Sequence, residues 1–326
     1  MGQHRWLALF LGILLFVPAP LSGQIENVQD AWRWTAFTTR NGLPSNVVYD
    51  VRETPNGVVW ASTARGLAWY DGYLWHPVGA DLGLPAGQIT LMLAENDTSL
   101  LVVMGRRMFT GDRSGFREVD LDQDTAHTPF ISGAVLPSGR ALLLTSDGHP
   151  FVRDGELLIP DPPINRSDSF VIRSIAAQPS GRILIYASHG LYAGNGREWT
   201  KVLGFGDRRF EVVHFAENAD QYGAAWVTQP AEQIGLWVWS RNREPRRVRA
   251  EATPSRPHLI PCDDGAVVQV DEVGLLRIHS EGLGEVSIPA PPAFTGFSFA
   301  RFRSNGDLWV GSSNGLHLCR ISSDRW

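Results

Sequence analysis

The sequence predicts an all-β repeat fold, and three observations carry that prediction. Glycines recur on one ruler at Gly57, Gly139, Gly181, Gly223, Gly265 and Gly306, with spacings of 82, 42, 42, 42 and 41 residues. The first gap is twice 41, so a copy lacking its glycine belongs near position 98, where Asn96-Asp97-Thr98 offers another turn. A short apolar run follows each turn, for example Val58-Val59-Trp60, Ile183-Leu184-Ile185 and Leu308-Trp309-Val310, and a second glycine tends to come nine residues after the first. A period near 42 residues marks a repeat architecture, in which each unit buries its apolar face against its neighbours.

The internal grammar of the repeat is that of β-hairpins. The apolar runs are too short for helices, are rich in Val, Ile and Trp, and are bounded by turn pairs such as Asn56-Gly57, Asp71-Gly72 and Asn305-Gly306. The second glycine is followed by Leu at Gly66-Leu67, Gly190-Leu191, Gly274-Leu275 and Gly315-Leu316, and by His149 at Gly148. In the fifth copy Gly235-Leu236 arrives three residues late, which assigns an insertion to Gln229–Gln233. Four short strands in about 42 residues make one propeller blade, so the expected fold is a seven-bladed β-propeller of four-stranded blades.

In the first blade, strand a is expected near Val47–Val51, b at Val58–Ser62, c at Leu67–Tyr70 and d at Leu74–Val78. The seventh has a, b and c at Ser298–Arg303, Leu308–Gly311 and Leu316–Arg320, and the given sequence stops at Trp326, where d is due. A spare strand, Trp32 to Phe37, precedes the first blade. The ring is therefore expected to be closed by this N-terminal strand, about residues 31–37, completing the last blade.

Residues 1–23 read as a secretory signal. His4 and Arg5 give a weak positive start, and Trp6–Val17 is a 12-residue apolar core, too short to span a bilayer. Gln24 stands where a lipidated Cys would stand, so export without a lipid anchor is expected, leaving residues 24–326 as one propeller in the periplasm or outside the cell. A net charge of −5 gives no reason to expect nucleic acid, and no membrane span is expected after cleavage. The two cysteines, Cys262 and Cys319, fall at different places in their blades and read as buried thiols rather than a bridge.

Phe37-Thr38-Thr39-Arg40-Asn41-Gly42-Leu43-Pro44-Ser45-Asn46-Val47-Val48-Tyr49-Asp50 and its continuation Gly57–Gly72 resemble a two-component regulator propeller repeat, and Gly306–Leu316 is a second good copy. The resemblance implies a periplasmic input domain of a sensor histidine kinase, hybrid regulator or diguanylate cyclase. The chain departs from that family in having one ring, no second apolar span, no phospho-acceptor His region and no ATP-binding glycine boxes. The expectation is a sensory, ligand- or partner-binding propeller without its own output module and without enzymatic activity. A non-sensory envelope scaffold is the alternative, and a propeller lyase resembling streptogramin lyases a further one.

Other features read as structure. The nine histidines show no metal-ligand spacing, Asp120, Asp122 and Asp124 lack the rest of a calcium loop, and the arginines between Arg241 and Arg249 read as a solvated outer edge. No metal or cofactor is expected. Trp60, Trp226 and Trp309 hold a fixed place in strand b and read as packing between blades.

In propellers the d–a connections and b–c turns share one face, so the concave mouth there is the expected ligand site. The expected ligand-binding residues are Arg40, Asn41, Arg65, Asp147, His189 and Asn314, with the Gln229–Gln233 insertion standing over them. Arg and Asn offer forked hydrogen bonds suited to hydroxyl-rich or carboxylated ligands. A small molecule or oligosaccharide, and a membrane sensor kinase or cyclase, are the expected partners.

Overall fold

The computed structural model describes residues 34–121, 128–136, 138–154, 157–160, 172–177, 182–194, 199–206, 210–217, 222–240, 243–250, 257–261, 267–270, 276–280, 284–288, 294–302 and 307–320. These residues form an all-β propeller built of seven four-stranded antiparallel sheets. Six sheets are made of four consecutive strands. Sheet 1 is typical, with a at Val48–Glu53, b at Val59–Thr63, c at Gly66–Tyr70 and d at Trp75–Val78. The expected bounds in this sheet are right to within one residue, except that strand a runs two residues further, to Glu53.

Sheet 7 is assembled from both ends of the chain. Its strands a, b and c are Phe297–Phe302, Leu308–Ser312 and Leu316–Cys319, and its d strand is Trp34–Phe37. Trp34 pairs with Cys319 and Phe37 with Leu316, antiparallel. The N-terminal strand thus removes an open edge that would otherwise invite pairing with another chain.

The a–b turns explain the missing glycine. Gly57 and Gly139 adopt φ values of 85° and 80°, the left-handed region that glycine enters freely. In sheet 2 the turn carries Asn96 instead, whose side-chain oxygen accepts from the backbone N–H groups of Thr98 (3.0 Å) and Ser99 (2.9 Å). The asparagine supplies by hydrogen bonding what glycine supplies by freedom.

Apolar layers lie between neighbouring sheets. Trp60, Trp226 and Trp309 are all fully buried. Trp309 packs with Val48, Val51 and Trp75 across sheets 7 and 1, Trp60 with Leu100 and Phe109 across sheets 1 and 2, and Trp226 with Leu259 and Val267 across sheets 5 and 6. Among the described residues no helix is long and apolar enough to cross a membrane. Cys319 is buried. Cys262, Asp122, Asp124, Arg241 and the signal region 1–23 lie outside the described residues.

Strand a is irregular in a repeated way. Its pairing with strand b shifts register between Val48 and Asp50, Phe130 and Ser132, Ile172 and Ser174, Val212 and His214, and Phe297 and Phe299. A bulge of this kind bends the strand and re-aims the side chain that follows. Among the described residues no ladder joins strand a of one sheet to strand a of the next, and side chains link them instead. Ser132 Oγ donates to Ile175 O (2.9 Å) and accepts from Ile175 N (3.0 Å), linking sheets 3 and 4. Leu259 N donates to His214 Nδ1 (3.1 Å), linking sheets 6 and 5. Ser298 Oγ donates to Val48 O (2.6 Å), linking sheets 7 and 1.

Candidate functional site

Consecutive antiparallel strands put the b–c turns and the d–a connections at one end of every blade. Backbone bonds tie the two together: Ala64 N donates to Val47 O, Ser146 N to Pro129 O and Ser313 N to Thr295 O, each at 2.9 Å. A hydroxyl at the last position of strand b locks the turn from inside. Thr63 Oγ1 donates to Gly66 O (2.9 Å) and accepts from Arg65 N (3.2 Å). Thr145 Oγ1 donates to Asp147 Oδ1 (2.5 Å) and accepts from His149 N (3.0 Å). Ser312 Oγ lies 2.7 Å from both Asn314 Oδ1 and Gly315 O. The mouth is a set of rigid turns whose backbones are satisfied locally.

These bonds sort the expected ligand-binding residues. Asn41 closes the short 3-10 turn Thr39–Asn41, its side chain accepting from Thr38 N (3.0 Å), and Asn314 accepts from Ser312. Both asparagine oxygens are committed to turn geometry. Arg40 and Arg65 are exposed, and their guanidinium groups make no ion pair or hydrogen bond among the described residues. His189 is half-buried, its Nδ1 3.0 Å from Ser188 Oγ. Asp147 sits 3.1 Å from His149 Nδ1, both more than half exposed. The bond from Thr145, then the one from His149, holds the Asp147 carboxyl below its usual range. The insertion does not cross the mouth. Gln233 O accepts from Trp237 on strand c (2.9 Å) and Glu232 O from Arg247 on strand d (2.8 Å), so it lies against the outer strands of its own sheet.

Two features escape a linear reading. The first is a cleft of about 920 Å3 at the opposite, a–b end, lined by Glu95, Thr110, Arg117, Arg140 and Arg153 among others. At its floor Arg153 of sheet 3 forms a buried ion pair with Glu95 of sheet 2, and Thr110 Oγ1 donates to Glu95 Oε2 (2.8 Å).

The second is a charged arc on the inner strands of sheets 5, 6, 7 and 1. Asp50 receives Arg52 Nε at 2.9 Å and Arg301 Nη2 at 3.2 Å, and its Oδ1 also accepts from Val51 N (2.9 Å). Burial alone would raise the Asp50 carboxyl, but the two arginines together hold it below its usual value. His214 and His258 lie with ring centroids 3.9 Å apart. Burial, and then the Arg301 charge, pulls His214 down to about 4. Burial, the facing His214 and Arg301 push His258 well below the usual range. The histidines that look scattered in sequence are therefore partly gathered. A signal existed: the position seven before the marker glycine is polar in four copies, as Asp50, Ser132, Ser174 and His258. In sheets 3 and 4 the post-bulge place is filled by Ser132 and Ser174.

Residues 42–65 match the family model described as a two-component regulator propeller. No curated protein sequence matches the chain. Among solved structures, the chain is similar to the extracellular domain of BT4673 from B. thetaiotaomicron, described as a hybrid two-component system, at 15% identity and a TM-score of 0.67. That match covers 89% of this chain but spans only 40% of the BT4673 chain. Virginiamycin B lyase from Staphylococcus aureus matches at 10% identity and a TM-score of 0.64, over 88% of this chain and 98% of its own. YCF48 from Cyanidioschyzon merolae matches at 14% identity and a TM-score of 0.63, over 88% and 98%. At these identities the likeness concerns fold. The chain is thus an all-β propeller that carries a two-component regulator propeller repeat at residues 42–65.

Proposed function

We propose that the seven sheets form one seven-bladed ring, exported through residues 1–23, that acts as the sensory, ligand- or partner-binding propeller of a two-component-type signalling system. Kinase or cyclase output lies outside these 326 residues. The observation that carries this reading is the two-component regulator propeller repeat at residues 42–65, whose d–a connection and b–c turn form part of the mouth. The likeness to the extracellular domain of a protein described as a two-component system supports it.

In this reading the turn skeleton is a rigid platform, and Arg40, Arg65, Asp147 and His189 are the groups that meet ligand. Asn41 and Asn314 act by fixing the turns. Arginine forks suit a carboxylated or hydroxyl-rich small molecule or oligosaccharide. The test is a thermal-shift screen of oligosaccharides and organic acids against the full chain, then titration of each hit into Arg65→Ala/His189→Ala. Loss of binding with an unchanged melting temperature supports the mouth. Unchanged affinity moves the site elsewhere.

A lyase is the second reading, and one observation favours it: His149 and Asp147 form an acid–histidine pair on a b–c turn. A solved structure pairs an inactive histidine variant of the S. aureus lyase with quinupristin. Consumption of quinupristin by this protein, lost in His149→Ala, would establish the enzyme. A scaffold role draws support from exposed Tyr73 and Leu74 on the c–d turn of sheet 1, and from a similar structure of YCF48 bound to a peptide.

A further inference from the structure

The charged arc of the inner strands has more hydrogen-bond donors than acceptors. Asp50 lies between two arginines, and both its oxygens are occupied by Arg52, Arg301 and Val51. Each arginine spends one N–H group on it. The Nη groups of Arg52 and the Nη1 group of Arg301 have no partner among the described residues, and the Arg301 Nε is buried without an acceptor. His214 accepts at Nδ1, so its neutral ring carries the proton on Nε2 and offers one further donor. A guanidinium has no acceptor of its own, so these groups cannot satisfy one another.

The charge balance points the same way. Two guanidinium groups face one carboxylate, and the two nearby histidines are neutral. Side-chain exposures of 23% for Asp50, 26% for Arg52 and 36% for Arg301 show that solvent in the central channel reaches the cluster. A tie whose only task was to join sheets 7 and 1 would need one arginine and one aspartate. The second arginine and the histidine pair exceed that task.

We propose that this arc is a binding site for a small oxyanion, a carboxylate or phosphate group, held in the channel by Arg52, Arg301 and His214. An oxyanion supplies several acceptor oxygens to orphaned donors and neutralises the surplus charge in a partly desolvated setting, where charge-assisted bonds are strongest. The proposal rests on the ligand-binding reading of the ring and names the chemistry of the anchoring group. It places that group below the mouth turns.

The test is calorimetric titration of the full chain with sodium acetate and, separately, inorganic phosphate. The two probes distinguish a planar carboxylate from a tetrahedral anion. Saturable binding of at least one is expected, weakened about tenfold or more by Arg301→Gln and changed less than about twofold by Arg107→Gln, an exposed arginine on strand c of sheet 2 paired with Glu118, in line with the strength of charge-assisted bonds. Arg52→Gln gives a second, independent reading of the same site. No saturable binding of either probe, or binding indifferent to both arc substitutions, overturns the proposal. Should both variants fail to fold, the wild-type chain crystallised with selenate decides: anomalous density within hydrogen-bond reach of Arg52 or Arg301 supports the site, and its absence there overturns it. Failure here leaves the Arg65/His189 test standing, because that test reads the mouth and not the arc.

Discussion

Arg301 and Asp50 are 251 residues apart in the chain, and their side chains meet at 3.2 Å across the junction of sheets 7 and 1. The contact joins the a strands of the two sheets, at the opposite edge of sheet 7 from the N-terminal strand that completes it. The two ends of the chain are thus held by three kinds of link: the backbone ladder of Trp34–Phe37 at one edge of sheet 7, and the Ser298–Val48 bond and the Arg–Asp–Arg cluster at the other.

Asp50→Asn removes the charge both arginines share and keeps the shape. It is expected to destabilise the fold by about 1.5–3 kcal/mol, the range for hydrogen bonds to charged groups. Urea unfolding monitored by tryptophan fluorescence measures this. An unchanged midpoint would show that channel water satisfies both guanidinium groups equally well.

The ladder should matter more. Phe37 is buried against Tyr70, Trp75 and Trp309, with ring centroids 5.2, 6.2 and 5.6 Å away. Phe37→Ala should cost about 3–5 kcal/mol, as for other buried aromatic truncations. Deleting residues 24–37 should lower the melting temperature and expose the edge of strand c, so aggregation should rise with protein concentration. A deletion variant that melts like the parent would contradict ring closure by this strand.

Stability should fall with acid in a defined window. Burial holds His214 and His317 at about 4 and pushes His258 well below its usual range, against about 6.5 in an unfolded chain. Between those values the unfolded chain binds more protons than the native one, so the stabilisation present above about pH 6.5 is lost as pH drops toward 4. Urea midpoints measured from pH 7.5 down to 4.5 check this. His317→Phe, which replaces a ring beside Trp34 and Phe294, should flatten the profile.

Asn41 and Arg40 are neighbours with opposite expected phenotypes. Asn41 caps its turn, and Asn41→Ala should lower stability by about 1 kcal/mol. The Arg40 guanidinium makes no ion pair or hydrogen bond among the described residues, and Arg40→Ala should leave melting unchanged while weakening any ligand held at the mouth. If both variants behaved alike, the division between turn-fixing and ligand-facing residues would be wrong.

Much of the ring was legible in the residues. The glycine ruler set the repeat, the strand-b tryptophans marked the layers between sheets, and Trp32–Phe37 identified the closing strand. These are local or periodic signals, and a repeat fold reads them out many times over. The mouth was half legible. Topology alone assigns Arg40, Arg65, Asp147 and His189 to one end of the blades, but it does not tell a capping asparagine from a ligand-facing one. That difference rests on single hydrogen bonds such as Ser312 to Asn314.

By itself, then, the sequence determined the repeat, its hairpin grammar, the closing strand and the resemblance of its first blade to a sensor repeat, because each depends on spacing along the chain. Only the tertiary structure decided that Asp50, Arg52, His214, His258 and Arg301 form one arc, that Glu95 and Arg153 meet at the floor of a cleft, and that the Gln229–Gln233 insertion lies outward. The reason is physical: inner strands of different blades face each other across the ring, so charges remote in sequence are brought together by curvature, and bulges in strand a choose which side chains bridge from one sheet to the next.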